Sequence, residues 1–201
     1  GLPAHSWNIA PASTIVMIGQ DASGNRHLAP AHWNLIPQWA QSMELGYPTY
    51  NARIETALEK RTYSQAAHQW RAIIPANGYY EWDADRQPHY FFDPIAKLLL
   101  MAGLYTWWRP NASAPWLLTA LILTRQANGD AATVHDRMPV LINTNMARAW
   151  LDPRANSQQL LPEANRQGAV LSEQLEQHAV AKLEGDGPQL IKPYSQPQFD
   201  L

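Results

Sequence analysis

Short apolar runs separated by turn-forming residues dominate the chain, a pattern that predicts strands rather than long helices. Residues 14–18 (T-I-V-M-I) form a run of buried type, and Asp21, Ser23, Gly24 and Asn25 supply turn chemistry directly after it. The next apolar stretch, residues 32–36, is read as the returning strand. Further strands are predicted over 72–75, 79–82 and 90–92, with polar turns between them. The strongest strand signals cover 98–105 and 116–123. Helical spacing is clearest over 57–70, where Leu58, Ala66 and Trp70 could share one face. A second helix is predicted to begin at Asn143 or Thr144, either a good N-cap, and to run to Leu151, with Pro153 shortly beyond. Strands followed by strands, without alternating helices, give an α+β fold built on a curved, mainly antiparallel sheet with peripheral helices.

Composition narrows this picture. The 201 residues suit one domain, and 46% apolar content is enough to build a core. Sixteen prolines argue against long helical bundles, and nine tryptophans must either pack inside or offer stacking surfaces. No uninterrupted apolar stretch reaches the roughly 18 residues of a membrane span. The absence of cysteine excludes disulfides and cysteine-based metal sites within these residues, and it fits a cytoplasmic setting. Fifteen basic against seventeen acidic residues leave a formal charge of −2, so any nucleic-acid site must be a local patch.

The common catalytic signatures are missing: no nucleophile elbow, no H-E-x-x-H, no phosphate-cradling glycine loop. The seven histidines show no paired metal-ligand spacing, so neither a metal nor a cofactor is expected. Four segments stand out because polar residues interrupt apolar surroundings: W-N-I-A-P at 7–11, N-A-R-I-E-T at 51–56, G-Y-Y-E-W at 78–82 and H-D-R-M-P-V at 135–140. In a strand, Glu81 points with Tyr79 away from Tyr80 and Trp82, and desolvation beside aromatics can raise a carboxyl pKa toward general acid/base use. A solvent-facing edge glutamate is the competing reading. His135 can shuttle protons near neutral pH, and Arg137 can fork onto a phosphate; a hydrogen-bonded loop histidine beside a local ion pair is the alternative. Asn51 and Arg53, two apart, project to one side of an extended segment and suit a phosphate or base edge, unless Arg53 merely pairs with Glu55. Trp39 can stack on a base or pack in the core.

The order and wording of these segments resemble the SRAP family (SOS response-associated peptidase, or abasic-site processing proteins). That family shows N-[VI]-A-P, N-A-R-x-E, G-[FWY]-[FY]-E-W and H-[DE]-R-M-P, matched here in order at 8–11, 51–55, 78–82 and 135–139. The resemblance runs from Trp7 to Ala149. It implies a barrel-like α+β fold over residues 1–201, a monomer, and binding to single-stranded DNA containing abasic sites in a cytoplasmic, nucleoid-associated setting of bacterial type. It also implies self-removal of the initiator Met, which exposes a cysteine whose amine and thiolate trap the opened sugar as a thiazolidine crosslink. Carried onto this chain, Glu81 assists proton transfer, His135 sits near the sugar, and Asn51 positions the reacting groups. Arg53 and Arg137 hold flanking phosphates, while Thr124, Asn8 and Pro11 match family positions around the DNA. Trp39 matches the first of two aromatics that wedge beside the DNA, and Ala40 replaces the second. The family's cysteine precedes the N-x-A-P segment by a few dozen residues, and only six residues precede Trp7 here. The expectation is therefore that the cysteine-bearing segment is missing from these residues. The alternative is a noncovalent single-strand binding module.

Overall fold

The structure, a computed structural model, describes residues 1–194; residues 195–201, the end of the expected domain, lie outside the described residues. In chain order its strands are β1 (Thr14–Gln20), β2 (Arg26–Trp33), β3 (Asn51–Arg53), β4 (Arg71–Ala76), β5 (Gly78–Trp82), β6 (Pro88–Phe92), β7 (Leu99–Trp108), β8 (Leu117–Gln126), β9 (Arg137–Pro139) and β10 (Glu176–Ala179). The helices are α1 (Ser64–Gln69), α2 (Ala131–Val134), α3 (Thr144–Leu151) and α4 (Ser157–Ser172).

Five strands close into a barrel in the order β2-β1-β4-β7-β8. Parallel pairing of β2 with β8, at His32↔Thr119 and Trp33↔Ala120, shuts it. The other barrel pairings are antiparallel, as the run of short strands predicted. A second sheet, β10-β6-β5, carries β5 on its edge. Its inner face meets the barrel through Tyr79, whose ring stacks on Phe91 at 4.9 Å and packs against the buried clusters of both sheets.

β8 organises the site. Beyond its contact with β7 it receives β3 in parallel on one side, with Arg53 opposite Thr124, and β9 antiparallel on the other, with Pro139 opposite Thr124. Segments 51–53 and 137–139, far apart in sequence, are thereby held either side of one strand. The two helices expected from sequence differ in outcome. α3 starts where Asn143 accepts a hydrogen bond from the Met146 N–H at 2.9 Å, as an N-cap should. The helix expected over 57–70 shortens to α1, because residues 54–63 form separate turns in which Thr56 O accepts from Glu59 and Lys60, and Lys60 O from Tyr63. Leu58, Ala66 and Trp70 nevertheless pack on the same core cluster.

The return strand also corrects the sequence reading. It is β2, which begins at Arg26 directly after the turn, and residues 34–36 are not strand. Leu35 and Ile36 are fully buried in a loop, and side chains replace the ladder: the Ile36 N–H donates to Thr119 Oγ1 at 3.0 Å, and Thr106 Oγ1 donates to Ile36 O at 2.7 Å. α4, the longest helix, was not expected. Its interior Pro162 obscures the pattern, although Leu160, Ala164 and Gly168 carry the four-residue spacing.

Beneath α3, the buried Arg71 binds five oxygens. Its Nε donates to Trp150 O, Nη1 to His68 O, Ala67 O and Ser157 Oγ, and Nη2 to Asp152 O, at 2.6–3.3 Å. Those carbonyls lie at the C-terminal ends of α1 and α3, where a cation complements both helix dipoles.

Candidate active site

Four of the elements just described meet at one shallow cleft of about 260 Å³, lined by Asn51, Arg53, Glu81, Thr124, His135 and Arg137 together with Pro48, Tyr50 and Ala52. β3 contributes Asn51 and Arg53, both exposed, on either side of the buried Ala52. They share one side of the strand, as their spacing predicted. Arg53 does not pair with Glu55; among the described residues it makes no ion pair. Glu55 instead turns to Arg137.

Glu81 comes from β5, and the glycine that opens its segment has a packing reason. A Cβ at Gly78 would collide with Phe91 O and with the Tyr90 ring, so only glycine lets β5 lie this close to β6. The Glu81 side chain is 26% exposed. Burial pushes its pKa above the ordinary carboxyl value, aided by the nearby Asp136, while His135 and the Trp82 N–H pull the other way without cancelling the rise. The solvent-facing reading of Glu81 is therefore set aside. The neighbouring Tyr79 hydroxyl is buried with no partner among the described residues, and burial pushes that phenol up as well.

His135 ends α2 and leads into β9. Its Nδ1 lies 4.0 Å from Glu81 Oε1 and 3.4 Å from Asp136 Oδ1. The same nitrogen accepts the Arg137 N–H at 3.0 Å, which assigns the proton of the neutral ring to Nε2. When the ring gains a second proton, Nδ1 can donate to Arg137 O, 3.2 Å away, or to the two carboxylates. A histidine with one nitrogen held and a carboxyl with a raised pKa make a pair able to give and take protons at a substrate entering the cleft.

Arg137 has a different environment from Arg53. Its Nη1 and Nη2 donate to the two Glu55 oxygens at 3.0 and 2.8 Å, and Nη2 also donates to Thr124 O at 2.7 Å. Its Nε is buried and has no partner among the described residues. Glu55 additionally accepts the Gln126 N–H. Burial alone would raise the Glu55 pKa, but the bonds from Arg137 and from main-chain N–H groups hold it below the ordinary range. Thr124 is buried, with Oγ1 directed at Ala52 O.

The remaining predicted residues lie outside this cleft. Asn8 donates to Gly185 O at 2.9 Å, and its neighbour Trp7 is tied by its N–H to Asp186 and by its carbonyl to the Tyr80 hydroxyl. This segment docks on the face of β5 that carries Tyr80. Pro11 is exposed in the turn that follows. Trp39 is 43% exposed, with the Arg61 guanidinium 4.6 Å above its ring, and Ala40 is buried. Sequence reasoning gave no role to Pro48, Tyr50 or Asp136, and offered Glu55 only as a partner for Arg53. Glu55 and Asp136 stand inside the quoted segments, so their position was itself the signal; nothing in the sequence marked Pro48 or Tyr50. A larger hollow of about 580 Å³ at the end of the small sheet, beside Trp82 and Tyr194, is lined by none of the predicted residues.

Comparison with known proteins bears on the family and the fold. The family model described as SOS response associated peptidase (SRAP) matches residues 2–184. The abasic site processing protein YoaM of Bacillus subtilis is 36% identical over 156 residues, covering 76% of this chain and 68% of YoaM. The abasic site processing protein YedK of Escherichia coli is 26% identical, covering 95% of this chain and 86% of YedK. A crystal structure of a protein from Bacteroides thetaiotaomicron superposes with a TM-score of 0.79 at 20% identity, covering 92% of this chain and 82% of that one, and shares the fold.

Proposed function

The chain belongs to the SOS response-associated peptidase (SRAP) family, and from that premise we propose that it acts as a monomer on abasic sites in single-stranded DNA, at the cleft between β3, β5 and β9. One observation carries the reading: an acid/base pair, Glu81 and His135, faces the same hollow as the exposed amide and guanidinium of Asn51 and Arg53. An abasic nucleotide needs both. It has no base to stack, so it must be held by its phosphates, and its closed sugar must lose and gain protons to open to the aldehyde.

In this reading Arg53 holds a phosphate beside the lesion and Asn51 orients the sugar. The raised pKa keeps a protonated fraction of Glu81 available nearer neutrality, so that it can deliver a proton to the ring oxygen as the sugar opens. His135 takes up and returns the second proton. A cysteine α-amine then attacks the aldehyde carbon, water leaves as the C=N bond forms, and the thiolate adds to that carbon while the nitrogen takes a proton. That thiol has to come from outside residues 1–201, which contain no cysteine. Self-removal of an initiator Met is the peptidase step that would expose it. For residues 1–201 by themselves the same absence favours a second reading, noncovalent binding of single-stranded DNA.

The test is the intact mass of the natively expressed protein, with and without an abasic single-stranded oligonucleotide. We expect the native protein to gain the oligonucleotide mass less one water, and residues 1–201 alone to bind without gaining mass. Equal behaviour toward abasic and intact strands, in both adduct formation and affinity, would overturn the proposal.

A further inference from the structure

We propose that Glu55 is an internal competitor for DNA phosphate: it occupies the guanidinium of Arg137 and thereby weakens binding of undamaged strand to the cleft. The proposal rests on the reading that single-stranded DNA enters this cleft. Sequence alone presents Arg53 and Arg137 as an equivalent pair of cations. The structure separates them.

Arg53 stands on the rim without an ion-pair partner among the described residues, and its charge faces whatever enters. Arg137 also lines the cleft, but its side chain is only 14% exposed and both terminal nitrogens are bound by the Glu55 carboxylate. A two-pronged guanidinium fits a carboxylate and a phosphate by the same geometry, so Glu55 takes the place a phosphate would take. The carboxylate is itself 37% exposed, so it also repels a phosphate approaching from solvent. It is held in place from behind by the Gln126 N–H, and its lowered pKa keeps it charged across the neutral range.

The cost of this arrangement to DNA binding is one cation. Strand that offers only its phosphates finds Arg53, while a lesion that also engages Glu81 and His135 gains contacts which Glu55 does not oppose. Selectivity is improved by making the common interaction weaker, since specificity is a difference of affinities.

The experiment measures binding of a labelled, undamaged oligothymidylate to residues 1–201 across a potassium chloride series. The proteins are wild type, Glu55→Gln, Arg137→Gln and the double variant. Glu55→Gln is expected to tighten binding by about two- to fivefold, the range that one partly exposed charge interaction spans. It should also steepen the salt dependence by about 0.7 in log Kd per log salt, as expected for one more phosphate contact to a single strand. Both changes should vanish in the Arg137→Gln background, because the effect acts through that guanidinium. Weaker or unchanged binding by a folded Glu55→Gln protein would overturn the proposal and make Glu55 a support for the arginine. If glutamine impairs folding, Glu55→Ala provides the same comparison, with thermal unfolding as the check. A wild-type protein that binds no single strand at low salt would overturn the functional reading itself, an outcome distinguishable from binding that ignores Glu55.

Discussion

Placing a single methyl group on Gly78 tests how the small sheet presents Glu81. The Cβ of Gly78→Ala would strike Phe91 O and come within 2.5 Å of the Tyr90 ring. Neither neighbour has room to yield. The carbonyl belongs to β6, where Phe91 stands opposite Tyr79 and Phe92 opposite Gly78. The Tyr90 ring lies between Tyr80, at 5.3 Å, and Phe92, at 5.6 Å. Relief therefore requires the start of β5 to lift from β6. Overpacking of this kind costs about 1–3 kcal/mol, and a ladder hydrogen bond lost with it adds about 1 kcal/mol. The expected total of about 2–4 kcal/mol corresponds to a Tm lower by about 4–16 °C for a chain of this length. Calorimetry measures that fall. Amide exchange should show it concentrated in β5 and β6, because among the described residues β5 is an edge strand, paired with β6 alone. Since Glu81 lies three residues along the lifted strand, it should lose burial, the main cause of its raised pKa, and its carboxyl titration should move back toward the ordinary range. A Tm within about 2 °C of wild type, less than 1 kcal/mol by the same scale, with the Glu81 titration unchanged, would refute the argument that this glycine is fixed by packing.

Two further predictions concern charges. Arg71→Met removes a buried cation from four carbonyls at the ends of α1 and α3 and from Ser157 Oγ and should cost about 3–5 kcal/mol by denaturant unfolding, in line with other broken buried charge networks; a loss under 1 kcal/mol would mean that guanidinium desolvation offsets its bonds. Glu81 has a folded pKa above its unfolded value, so its ionisation opposes folding, and stability falls as pH rises from the unfolded value of about 4.3 through the raised folded value. Glu81→Gln should accordingly be more stable than wild type at pH 7 and lose that advantage near pH 4. A carboxyl titration of Glu81 with its midpoint at or below the ordinary value would contradict the assignment.

How much of this was legible in the sequence depends on the range of the interaction that decides each feature. Strands β4 to β8 showed themselves because their apolar runs are continuous and their turns are local. α3 showed itself through a cap that acts within three residues. Residues 34–36 misled because burial in a loop and burial in a strand select the same apolar residues; Thr106 and Thr119, some seventy and eighty positions away, decide between them. α1 was overextended because spacing reports which side chains are buried and not whether the backbone between them is continuous. At the site, the shared side of Asn51 and Arg53, and of Glu81 and Tyr79, could be read from their segments. The partner of Arg137 could not, since it depends on β3 and β9 flanking the same strand.

That flanking explains why the site can be short in sequence and still well defined in space. Thr124 is the common neighbour: Arg53 is registered against it on one side and Pro139 on the other, and its carbonyl accepts from Arg137. A one-residue slip of β3 along β8 would turn Asn51 and Arg53 inward and expose Ala52, so the buried alanine fixes the register that presents the two polar groups. Ala52 is 4% exposed within a strand of three residues, too short to hold its register by hydrogen bonds alone. The Glu55–Arg137 pair, just beyond the end of β3, supplies the second restraint. One ion pair therefore supports the register that Ala52 fixes and limits the charge available at the rim. Glu55→Gln keeps the side-chain shape and leaves Ala52 to hold the register, so it isolates the role of the charge, whereas a larger change at the same position would disturb both.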